Sequence, residues 1–86
     1  MKISVIIPVY NEKSTISEII ARVRAVDFAK EIIVVDDGST DGTLEQLAAI
    51  GSQFENVNVL FHQKNRGKSA ALRTGFAAAS GEIIIT

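Results

Sequence analysis

Residues 32–42, Ile32-Ile33-Val34-Val35-Asp36-Asp37-Gly38-Ser39-Thr40-Asp41-Gly42, run from continuous apolar sequence onto two adjacent carboxylates and a turn. Four β-branched residues without alternation match a strand covered on both faces, as the strands of a parallel sheet are. A carboxylate at such a strand end costs free energy unless a donor, a cation or a ligand compensates it. Successive side chains on a strand point to opposite faces. One of Asp36 and Asp37 can therefore enter a given cleft while the other braces the loop. An Asx turn and helix cap explains Ser39 and Asp41 but leaves the acidic pair unexplained. A calcium loop is excluded, because the twelfth position counted from Asp37 is Ala48 rather than glutamate, and a strand precedes the segment.

Upstream of this stretch, Ile3 to Val9 forms another β-branched run, closed by Pro8 and Asn11. Thr15 and Glu18 fit a capping box, and Ile16, Ile19, Ile20 and Val23 then recur on one helical face. Downstream, a second helix begins near residues 41–43, with Leu44, Leu47 and Ala48 facing inward and Gly51 ending or weakening it. Val57, Val59 and Phe61 alternate as a third strand. Gly67 and Lys68 open a third helix over 69–80, whose small, Ala-rich face can approach a sheet closely. Gly81 is the expected helix stop, and Ile83-Ile84-Ile85 start a fourth strand.

The order β-α-β-α-β-α-β with short connections predicts an α/β fold: a parallel, Rossmann-like sheet with flanking helices and right-handed crossovers. Residues 1–86 form one unit, with no repeat, linker or low-complexity tract. The fourth strand closes the sequence without a helix to cover it, which predicts either a truncated domain or association through that edge.

Composition narrows the function classes. With 47% hydrophobic residues the chain is globular rather than disordered. A net charge of −1 with no basic stripe argues against nucleic acid as a partner. The absence of cysteine excludes disulfides and thiolate metal sites. The N-terminal apolar run is too short for a signal peptide, and no stretch reaches the ~18 apolar residues of a membrane span. A cytoplasmic location is the expectation.

Ligands of open α/β sheets bind beyond the carboxyl ends of the strands, where strand order reverses. Three polar clusters fall there. In Pro8-Val9-Tyr10-Asn11-Glu12, the proline stiffens the strand exit, Tyr10 offers a flat face to a nucleobase, and Glu12 can accept from base or ribose. The alternative is a simple turn with an incidental aromatic. The second cluster is the Asp36-Asp37 segment. The third, Asn65-Arg66-Gly67-Lys68-Ser69, resembles the end of a phosphate-binding P-loop, but its first glycine would fall at His62, so that motif is broken. Lys68 can still meet an anion at a helix start, although a solvated loop explains it as well. His62, the only histidine, has no nucleophile paired with it in sequence and reads as structural. No GxGxxG follows the first strand, which argues against a dinucleotide oxidoreductase.

Together, Val5-Ile6-Ile7-Pro8-Val9-Tyr10-Asn11-Glu12, Ile33-Val34-Val35-Asp36-Asp37-Gly38-Ser39-Thr40-Asp41 and Asn65-Arg66-Gly67-Lys68 closely resemble family 2 glycosyltransferases. The nearest branch is similar to dolichyl-phosphate mannose synthases and related polyprenyl-phosphate sugar transferases. The resemblance implies the nucleotide-binding half of a GT-A fold with strand order 3-2-1-4, acting in inverting transfer from a UDP- or GDP-sugar. It implies that Pro8, Tyr10, Glu12, Val35 and Asp37 line the base and ribose pocket, with Asp37 accepting from a base N–H, Asp36 as the bracing partner and Lys68 near base or phosphate. It also implies Mg2+ or Mn2+ in the full-length enzyme, held by an Asp-x-Asp motif that would start at Thr86, so that residues 1–86 alone transfer no sugar. Two other readings remain: a receiver-type phosphoacceptor domain, and a non-catalytic module that forms a homo-oligomer through the fourth strand.

Overall fold

The structure, a computed structural model, describes residues 2–26 and 30–85; Met1 and Thr86, the expected start of the Asp-x-Asp motif, lie outside the described residues. The elements follow as β1 (Ile3–Val9), α1 (Ile16–Ala25), β2 (Lys30–Asp37), α2 (Thr43–Gln53), β3 (Val57–His62), α3 (Lys68–Ala78) and β4 (Glu82–Ile85). The strands form one parallel sheet in the order β3-β2-β1-β4. This is the Rossmann-like, GT-A-type arrangement. A receiver domain has the flavodoxin-like order 2-1-3-4-5, and this sheet departs from it.

Strand alternation divides the core in two. Val5, Ile7, Val9, Ile32, Val34 and Val57 face α1 and α2, where they meet Ile16, Ile20 and Leu47. Ile6, Ile33 and Val35 face α3 and meet Ala71. Both sets are buried, which is why the middles of β1 and β2 read as apolar without alternation; each such Val, Ile or Leu side chain contributes about 1.5–3 kcal/mol on leaving water. The small face of α3 allows the close approach expected of it. A Cβ added at Gly75 would stand 2.5 Å from Ile6 Cγ2 and 3.5 Å from Val35 Cγ2.

Several local expectations differ from the structure. Thr15 is the N-cap of α1, but no capping box forms. Its hydroxyl turns back to Glu12 Oε2 at 2.8 Å, while Glu18 pairs with Arg22 at 2.6 Å. A turn closed by Thr15 N–H and Ile16 N–H on the Glu12 carbonyl sets that direction. On α2, Ala48 is exposed and the inner face is Thr43 and Leu47, with Ile50 packed against the core. Gly51 does not end α2; the helix runs to Gln53, and a Cβ at Gly51 would meet Val59 Cγ2 at 3.1 Å. Phe61 shares the alternation of Val57 and Val59 yet is 57% exposed, beyond the cover that α2 provides. Helix α3 stops at Ala78, before Gly81. Gly81 instead lets the chain cross β1 closely, since a Cβ there would stand 2.5 Å from the Lys2 carbonyl oxygen.

Below the sheet, at the amino ends of its strands, Glu31 ties three segments together. Its Oε1 accepts from Ser4 Oγ at 2.5 Å, Ser80 N–H at 2.7 Å and Ser80 Oγ at 2.9 Å. Ser4 Oγ in turn accepts from Gly81 N–H at 2.9 Å.

Candidate functional site

A cleft of about 450 Å³ opens at the carboxyl ends of the strands, on the face that α3 covers. Its walls are Pro8, Val9, Tyr10 and Glu12 from the end of β1, Asp37 from β2, and Asn65, Gly67, Lys68 and Ala71 from the β3–α3 loop and α3. Alternation explains three of these walls. Pro8 and Tyr10 follow Ile6 on the α3 face, and Asp37 follows Ile33 and Val35 on the same face. The order reverses at β1, which lies between β2 and β4. Tyr10 is 45% exposed, so its ring is available to a ligand.

Of the residues singled out in the sequence, Pro8, Tyr10, Glu12, Asp37 and Lys68 come together around this cleft. Val35 does not reach its surface; it is fully buried with Ile6, Ile33 and Ala71 beneath the cleft. Asn65 and Ala71 also line it and carried no individual signal in the sequence, because their positions depend on how α3 docks.

The acidic pair splits as alternation requires. Asp36 is fully buried on the α1–α2 face, where its Oδ2 accepts from Ser39 N–H at 3.0 Å; Oδ1 has no partner among the described residues. Asp37 is 4% exposed on the cleft face and binds the β3–α3 loop as well. Its Oδ1 lies 2.8 Å from His62 Nδ1 and accepts from Arg66 N–H at 2.9 Å, while Oδ2 accepts from Gly67 N–H at 2.9 Å. Burial opposes ionisation of Asp37, but the bonds from His62, Arg66 and Gly67 together outweigh it and hold the carboxyl below its usual range. Both aspartates thus brace loops, and Asp37 also faces the cleft. In the register of the sheet Asp37 stands beside His62, which accounts for their contact. The His62 ring is buried, with Nε2 2.8 Å from Thr74 Oγ1 on α3.

The loop after β2 also holds the loop after β1. Asn11 N–H donates to Ser39 Oγ at 2.8 Å, Thr40 N–H to Asn11 Oδ1 at 2.8 Å, and Glu12 N–H to Thr43 Oγ1 at 3.0 Å. Lys13 N–H donates to Asp41 Oδ2 at 3.3 Å, and Asp41 Oδ1 accepts from both the hydroxyl and the N–H of Thr43. Hydrogen bonding from Thr43 holds the Asp41 carboxyl below its usual range, against a smaller effect of burial. Asp41 precedes the N-cap of α2, which is Gly42 in a left-handed conformation. Gly38, at φ 76°, passes so close to the β3–α3 loop that a Cβ would strike the backbone of Lys64 and Asn65. The cleft therefore rests on three loops locked to one another, positioned before any ligand arrives.

Comparison with known proteins gives this arrangement a family. The model of glycosyl transferase family 2 matches residues 4–86, and the chain belongs to that family. An undecaprenyl-phosphate 4-deoxy-4-formamido-L-arabinose transferase from Salmonella paratyphi A is 37% identical over 99% of this chain, which spans 28% of that protein. Among solved structures, the mannosyltransferase PcManGT from Pyrobaculum calidifontis, in complex with GDP-Man and Mn2+, superposes with a TM-score of 0.89. It shares 32% identity, over 98% of this chain and 26% of its own. TarS from S. aureus, in complex with UDP, has a TM-score of 0.86 at 32% identity, over 100% of this chain and 27% of its own. The chain thus spans little more than a quarter of the relatives it matches.

Proposed function

From its membership of glycosyl transferase family 2, we propose that this chain is the donor-nucleotide portion of the catalytic domain of a longer, inverting glycosyltransferase. The reaction in this reading moves a hexosyl group from a UDP- or GDP-sugar to a polyprenyl phosphate or a glycan. The single observation that carries it is the hollow shared by Tyr10 and Asp37, two groups distant in sequence whose surfaces bound one cleft at the strand-order reversal.

In this reading the Tyr10 ring stacks on the base, Asp37 accepts a base N–H, and Glu12 accepts from the ribose hydroxyls. Lys68, the first residue of α3, adds a cation beside the helix's free N–H groups, where phosphate is favoured. Val35 supports the cleft from below. The three interlocked loops hold these groups in place, so little ordering cost falls on binding.

A divalent cation, as in the mannosyltransferase complex, would neutralise the departing diphosphate. The residues here do not fit that role: among the described residues no three His, Cys, Asp or Glu side chains converge to hold an ion. Three hydrogen bonds, from His62, Arg66 and Gly67, leave Asp37 a single open acceptor site, on Oδ2. Among the described residues no helix is long and apolar enough to cross a membrane.

Calorimetric titration of UDP and GDP into the full-length protein tests the proposal. Binding should weaken about tenfold or more in Asp37→Ala, through a lost charged hydrogen bond. Tyr10→Ala should weaken binding with little change in unfolding temperature, because Tyr10 is 45% exposed. Nucleotide binding indifferent to both substitutions would refute the assignment. A second reading rests on β4, whose Ile83, Ile84 and Ile85 are 46%, 45% and 50% exposed at the sheet's outer edge. If this edge pairs with another chain, light scattering will show a mass that rises with concentration.

A further inference from the structure

The hydrogen bonds around Asp37 bear on which base the cleft accepts, an inference that rests on the donor-nucleotide reading above. A carboxylate oxygen has two lone pairs. At Asp37 Oδ1 both are occupied, one by His62 Nδ1 and one by Arg66 N–H. Oδ2 is occupied once among the described residues, by Gly67 N–H. Gly67 lines the cleft and His62 does not, so the oxygen with spare capacity is the one bonded on the cleft side.

The His62 ring is fixed from both ends. Because an ionised carboxylate only accepts, Nδ1 must carry the hydrogen shared with Asp37. Thr74 Oγ1 on α3 then engages Nε2 at 2.8 Å and stops the ring from flipping. Two backbone N–H groups and one anchored ring thus prevent the Asp37 carboxylate from rotating.

We infer that His62, anchored by Thr74, is a positioning and specificity-determining residue that leaves Asp37 a single acceptor for the base. Uracil presents one N–H on its pairing edge, flanked by two carbonyl oxygens, and one acceptor satisfies it. Guanine presents two adjacent donors, which a carboxylate matches only with both oxygens. With Oδ1 saturated, the second donor of guanine is left unpaired, a loss that a polar site discriminates strongly. The cleft is therefore built for a uridine diphosphate donor over a guanosine one.

Titrations of UDP and GDP into the full-length protein and its variants provide the test. The expected result is UDP tighter than GDP by about tenfold or more, the scale of one unpaired donor. His62→Leu frees the carboxylate to turn, so UDP should weaken and the UDP-to-GDP ratio should move towards one. Thr74→Val should do the same in smaller measure, and Thr74→Ser should restore wild-type binding. Nitrogen NMR of the His62 ring in the unsubstituted protein adds a readout independent of variant folding: Nδ1 should bear the hydrogen. GDP binding as tightly as UDP, a bare Nδ1, or variants that weaken both nucleotides equally would overturn the inference while leaving the donor-nucleotide reading intact. Binding of neither nucleotide would remove both.

Discussion

Replacing Glu31 with glutamine removes one charge from the base of the sheet and leaves the cleft at its opposite end untouched. Hydrogen bonds from Ser4 and from the Ser80 backbone, aided by the Ser80 hydroxyl and Lys2 and opposed by burial, lower the Glu31 carboxyl from its ordinary 4.5 to about 2. At ~1.4 kcal/mol per pH unit, that displacement has a ceiling of ~3.5 kcal/mol. The Glu31 side chain remains 21% exposed and its Lys2 partner 55%, so solvent screening brings the expected contribution to about 1–2 kcal/mol. The sign follows from the lowered value. The folded state binds the proton less readily than the unfolded chain, so the stabilisation is complete above the ordinary 4.5 and is lost as pH falls towards 2. Urea unfolding followed by circular dichroism, at steps between pH 7 and pH 2.5, measures this directly. The original chain should exceed Glu31→Gln by about 1–2 kcal/mol at neutral pH, and the gap should close through the acid range. A gap that stays constant with pH would show that the carboxylate's charge contributes nothing and that only the shape of the side chain matters.

Two glycines give further tests. Gly38→Ala combines a positive φ of 76° with a collision against the backbone of Lys64 and Asn65, and should cost about 2–4 kcal/mol. It should also weaken nucleotide binding, because the displaced loop leads into Gly67 and Lys68; an unfolding curve that matches the original would contradict the interlocked-loop account. At Gly75→Ala, a gain of ~1 kcal/mol in helix propensity opposes overpacking against Ile6 Cγ2 at 2.5 Å. A net loss of about 1 kcal/mol is expected in thermal unfolding, and a net gain would mean that α3 sits more loosely on the sheet.

Much of this protein follows from local sequence. Runs rich in β-branched residues at Ile3–Val9 and 32–35 require cover on both faces, and the helical spacing of Ile16, Ile20 and Val23 supplies part of it. Alternation at residues 36 and 37 is equally local, so the division of the acidic pair between two faces is legible in the sequence itself. Helix ends were less readable. The hydroxyl of Thr15 chose Glu12 over a cap, and Gly81 served a close crossing over Lys2 instead of a helix stop. Each outcome depended on a neighbour outside the motif.

Tertiary structure alone decided what surrounds Asp37. The contact with His62 exists because β2 and β3 are neighbours in a particular register, and register is set by packing of the whole sheet. The bonds to Arg66 and Gly67 exist because Gly38 admits the β3–α3 loop, and the anchoring of His62 by Thr74 because α3 has a small face. Residue types determined which groups could meet a nucleotide. Only the docking of α3 on the sheet determined which acceptors those groups have left to offer.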